Sequence, residues 1–181
     1  MAIEIVGMGG ARDRRSIPLA TMLGTPIGNV RRDQRDPRSM RAAVKMLRKQ
    51  CPTAVPRSMR STYDCLGMIF ASRRTCVGVE KNIGPVLRLI LQEDGYLPVP
   101  SQDALSVGDV VVYKFGDSCD DSSISHVSMV VQNEPLFEGG SRQIMALSQW
   151  GADGEYYHRM DDVPLLLGKP AEFWTHRWMD Q

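Results

Sequence analysis

The sequence predicts an α+β fold, with N-terminal helices packed on one face of a central antiparallel β-sheet. Two observations carry this. Apolar residues recur at helical spacing only between about residues 37 and 95, and from about residue 110 the pattern switches to period two. No helical pattern separates the later strands, so they pair antiparallel and the helices pack against them.

The elements follow in order. Residues 1–36 mix Gly, Pro and Arg with short apolar runs such as "IPLATML" and show no sustained period, which predicts an irregular basic arm ahead of one domain at 37–181. In "DPRSMRAAVKMLRKQ", Met40, Val44 and Leu47 share a helical face, Asp36 is placed to cap it and Pro37 suits the first turn. Pro52 and Pro56 forbid continuation. A second, densely apolar helix begins near Cys65 and runs through "CLGMIFASRRT". A third fits "EKNIGPVLRLILQEDG", with Gly95 to end it. Strands are expected near Val110 to Phe115, in "HVSMVVQ", in "RQIMALSQW" and in "EFWTHRWM", with "NEPLFEGGS" as a wide hairpin turn.

The apolar share of 43% supplies a core, and 24% charged residues is ordinary for a soluble domain. No window approaches the roughly 20 apolar residues of a membrane helix, so no membrane partner is expected. The N-terminal "MAIEIVGMGGARDRR" does not read as a secretory signal, and a cytoplasmic location is expected. Export by a non-classical route would leave no such mark. Cysteines stand at 51, 65, 76 and 119 without a CxxC pair, which fits reduced thiols. Residues 1–62 hold 13 Lys/Arg against 4 Asp/Glu, a net +9, whereas the remainder holds 9 against 17, a net −8. The basic part is expected to meet the acidic part of its own chain. It lacks interleaved aromatics, so a nucleic-acid partner is not expected. "GDSCDDSS" lacks the spacing of a calcium loop, and the cysteine spacings match no zinc finger, so neither metal nor cofactor is expected. Trp150, Trp174 and Trp178 read as core or edge packing.

Cys65 is the candidate reactive group. A cysteine at a helix N-terminus gains from the helix dipole and from free N–H groups, which favour a thiolate and can face an oxyanion. Thiolate chemistry also needs a base and a group to orient it. His126 opens a strand directly after a polar loop and is the candidate base. The strand "IMALSQWG" returns antiparallel to it. Register favours Ser148 as the orienting residue, and amide chemistry favours Gln149 as the alternative. His158 lies past Gly151 and Gly154 and is expected off the strand.

Three boxes carry a resemblance. "YDCLGMIF" resembles the "DCSG" box of the NlpC-type papain-like cysteine peptidases, "LSVGDVVVYKF" their "GDLVFF" strand and "ISHVSMVVQ" their "SHVGIY" strand. They occur in the family's order over about residues 60–150. The resemblance implies a papain-like α+β fold and a thiol hydrolase that cleaves an amide or peptide bond of a peptide or protein. Cys65 would be its nucleophile and His126 its base. Tyr63 and Asp64 would sit in the substrate and oxyanion pocket. An acyltransferase or transglutaminase-like enzyme using the same dyad and a catalytically silent binding module are the alternatives. The family's serine after the nucleophile is Leu66 here, so the resemblance assigns chemistry and no substrate.

Overall fold

Short-range signals set most boundaries seen in the computed structural model, which describes residues 16–78, 82–116, 120–135 and 142–176. After a two-residue strand β1 (Asn29–Val30), helix α1 spans Pro37–Gln50. Its start is the expected one: the Asp36 carboxylate accepts from the N–H groups of Arg38 and Ser39 at 3.0 and 2.9 Å. A short strand β2 (Val55–Ser58) leads to α2 (Cys65–Phe70). This helix ends earlier than expected, because Ser72 and Arg73 take positive φ and turn the chain into β3 (Cys76–Val77). Helix α3 (Gly84–Glu93) and β4 (Leu97–Pro98) follow, then β5 (Val110–Lys114), β6 (Ile124–Pro135), β7 (Arg142–Gln149), β8 (Glu155–Arg159) and β9 (Lys169–Thr175).

Seven strands form one sheet in the order β2-β8-β7-β6-β5-β9-β4, antiparallel throughout. The α+β class is therefore as expected, but the helices do not share a face. Met68 of α2 packs on Leu147 and Tyr157, whereas Leu47 of α1 packs with Trp150 and Tyr156. Neighbouring residues of a strand point to opposite faces, so α2 and α1 cover opposite sides of the sheet. Helix α3 joins α2, sharing a cluster with Val110, Val112 and Val127. The α2 face and the α1 face each have their own core.

The described part of the N-terminal arm is tied to the domain. Ile27 lies in the α2-face core and β1 pairs with β3. The Thr21 hydroxyl donates to Glu93 at 2.5 Å, and the Met22 N–H donates to Asp94 at 2.7 Å. Only one ion pair joins residues 16–62 to the acidic half among the described residues, Arg35 with Asp153. Among the described residues the expected charge pairing between the two halves is thus largely absent. The "NEPLFEGGS" turn beyond Pro135 and Cys119 lie outside the described residues. Among those described, no helix is long and apolar enough to cross a membrane.

Candidate functional site

Cys65 is the first residue of α2 and is 7% exposed. Its helix is held at that end by Asp64, whose Oδ1 accepts from Gly67 N–H at 2.7 Å and from Val77 N–H at 3.1 Å. One carboxylate oxygen caps α2 and ties it to β3. Gly67 is required here, since a Cβ would overlap the Thr75 carbonyl. Burial pushes the Cys65 thiol up to about 12, and the Asp64 charge adds to it; the amides of Val127, Leu66 and Cys65 itself oppose this weakly. The helix N-terminus therefore fails to make a thiolate. Loss of water around the sulfur outweighs the dipole.

His126 lies on the other side of the sheet. It pairs with Tyr113, and its ring centroid stands 5.3 Å from that of Tyr113, which belongs to the core on the α1 face. Val127, the next residue, points to α2 and shares the cluster of Cys65. The cause is a bulge. The β5–β6 register runs Tyr113↔His126 and then Lys114↔Ile124, leaving Ser125 unpaired. Ile124 faces α2 with Cys65. Simple alternation would place His126 there too, and the extra residue turns it away. The expected Cys65–His126 pair is not formed, and no hydrogen bond joins the two among the described residues. His126 is 1% exposed and its Nε2 finds no partner there. Burial lowers its pKa to about 3, with the nearby His158 adding to the effect.

Ser148 and Gln149 face opposite sides, as alternation requires, but neither pairs with His126, because the β6–β7 ladder ends at Met129↔Leu147. Ser148 bonds a different histidine. Trp150 Nε1–H donates to Ser148 Oγ at 2.9 Å, and the Ser148 hydroxyl donates to His158 Nε2 at 2.8 Å. His158 Nδ1–H in turn donates to the Arg159 carbonyl at 2.7 Å, which fixes the tautomer. His158 is in β8, not off the strand, and burial lowers its pKa to about 4. The strand-prone tyrosine pair in "EYYHR", after the Gly151 and Gly154 turns, was the signal for that strand.

Gln149 Nε2 donates to the Arg60 and Gly151 carbonyls, both at 2.9 Å, while its buried Oε1 has no partner among the described residues. The Tyr63 hydroxyl, expected near the oxyanion, donates instead to Glu155 Oε2 at 3.1 Å. Arg73 meets the same carboxylate at 2.7 Å. Glu155 and Arg73 are thus partners of Tyr63 that the sequence did not reveal.

The sheet keeps the thiol and the imidazoles on opposite faces. The α2 face has a protonated thiol without an imidazole. The α1 face has two neutral imidazoles and a serine, all buried, with Trp150 set against His158 and Ser148 and stacked on Tyr156 at 4.2 Å. No group of three or more His, Cys, Asp or Glu among the described residues is placed to hold a metal. The cysteines at 51, 65 and 76 are free and buried.

Compared with family models, curated proteins and solved structures, the chain matches none. The resemblance to the papain-like peptidases rests on the three sequence boxes.

Proposed function

We propose that the protein is an anion-docking module on an α+β frame, with Cys65 in a structural role. The observation that carries this is α1. Arg38, Arg41, Lys45, Arg48 and Lys49 are all exposed on it, while Met40, Ala43 and Leu47 are buried. None of the five cations has an ion-pair partner among the described residues. A one-sign surface with no internal counter-charge attracts an external one. The separation of Cys65 from His126 supports the same reading, because it removes the activated nucleophile. The test is a pair of variants measured against an anionic polymer. Neutralising Arg41 and Lys45 to Gln weakens binding, and Cys65→Ala leaves it unchanged. Equal loss in both would overturn the reading.

A papain-like thiol hydrolase acting on an amide or peptide bond is the second reading, with acyl transfer as its variant. It is favoured by the family order of the three boxes and by Cys65 at the first position of α2. It requires His126 on the α2 face, which a one-residue shift of β6 across Ser125 would give. A burst of acyl-enzyme on Cys65 with a p-nitrophenyl ester, absent in His126→Gln, is what this reading requires.

A further inference from the structure

We propose that the outward face of α1 docks on the phosphate backbone of duplex nucleic acid; this rests on the anion-docking reading above and names its partner. Arg38, Arg41, Lys45 and Arg48 recur at intervals of three, four and three residues. At 3.6 residues per turn they and Lys49 fall within about 100° of arc, opposite the buried Met40, Ala43 and Leu47. From Arg38 to Lys49 the stripe is about 16 Å long, with about 4.5–6 Å of rise between successive cations from Arg38 to Arg48. Duplex DNA carries one phosphate per about 1.7 Å of axis, so that length faces about ten phosphates, enough to engage every cation of the stripe. No Asp or Glu occurs from 37 to 63. Carboxylates close to the helix are engaged: Asp36 caps it, Asp153 pairs with Arg35, and Asp162 accepts from the Thr53 N–H at 3.0 Å.

Three physical arguments select the partner. A membrane surface would take an amphipathic helix by its apolar side, but that side of α1 is buried against Trp150 and Tyr156. A protein partner is held by buried aromatic or apolar anchors, and the cationic arc contains no aromatic residue. Single strands are held by stacking on aromatic side chains, which the arc also lacks. What remains is a row of point and forked charges matched to a regular lattice of phosphates. Arginine, which supplies three of the five, binds phosphate through two parallel N–H donors. Such contacts position the protein without reading sequence.

The experiment is fluorescence anisotropy of the full chain with a 20-base-pair DNA duplex between 50 and 200 mM NaCl. Four to five phosphate contacts give a slope of log K against log salt of about −4, hence about 250-fold weaker binding across that range. The Arg41→Gln/Lys45→Gln variant flattens the slope by about two, with unchanged thermal melting to show that it folds. Arg57→Gln/Arg74→Gln, two cations off the helix, is the control and leaves the slope in place. A slope unaffected by the α1 variant would overturn the proposal. Displacement of the duplex by polyglutamate at equal charge concentration, or equal binding to anionic vesicles, would overturn the nucleic-acid assignment and leave anion docking standing. No binding to duplex, polyglutamate or vesicles at 50 mM NaCl would overturn both.

Discussion

The two faces of the sheet treat polar chemistry in opposite ways. On the α2 face, Cys65 sits among Leu66, Val77, Val110 and Val127, and the carboxylates nearby are bound to backbone or to Tyr63 and Arg73. On the α1 face, a chain of hydrogen bonds runs from Trp150 through Ser148 to His158, with His126 beside it. A single unpaired residue, Ser125, decides on which side His126 falls. The comparison teaches that a motif read as a string can hold every residue of a dyad while the sheet separates them.

The largest expected effect comes from acidifying the α1 face. Both imidazoles have folded pKa values of about 3 and 4, below the usual 6.5, so the unfolded chain binds more protons. Stability from this source is complete above about pH 6.5 and is lost as the pH falls toward 4. Two such groups give a slope of about 2.7 kcal/mol per pH unit within that window. Denaturant melts at pH 6.5 and 4.5 measure it, and His126→Leu halves the slope. An unchanged slope in that variant would mean that His126 is not buried and neutral.

How much of this could be read from the sequence depends on the range of the signal. Asp36 and Pro37 fixed the start of α1, and Cys65 opened α2, because caps and first turns are local. The β5, β6 and β7 strands showed as runs rich in β-branched and apolar residues bounded by polar loops. The bulge at Ser125 did not, since unpairing one residue depends on the register of β5 against β6. Strand β2 was hidden by Pro56, which is tolerated there because β2 is the edge of the sheet. The role of Asp64 as the cap of α2 was masked by its place in the family box. Glu155 and Arg73 were invisible as partners of Tyr63, being 92 and 10 positions away from it in the chain.

The next effect tests how tightly α2 is set on its own face. Gly67→Ala forces a Cβ into the Thr75 carbonyl and is expected to cost about 3 kcal/mol by thermal or urea melting. A near-neutral result would place α2 farther from β3. Breaking the α1-face chain is somewhat milder. Ser148→Ala leaves Trp150 Nε1–H and His158 Nε2 without a partner, at a cost of about 2 kcal/mol. Imidazole shifts followed by NMR move at His158, while the backbone amide shifts of α2 do not. Cys65→Ala is the smallest, about 1 kcal/mol, since one buried sulfur is lost and no hydrogen-bonded imidazole with it. A gain or loss above about 3 kcal/mol would indicate a partner for the thiol.

The separation of Cys65 from His126 is tested most directly by the pH dependence of Cys65 alkylation with iodoacetamide, mapped by mass spectrometry in the wild type and in His126→Gln. A thiol held at about 12 reacts slowly through neutral pH, rises only in strong base, and gives the same profile in both proteins. Rapid alkylation with an inflection below pH 7 that vanishes in His126→Gln would show a thiolate–imidazolium pair and contradict the account.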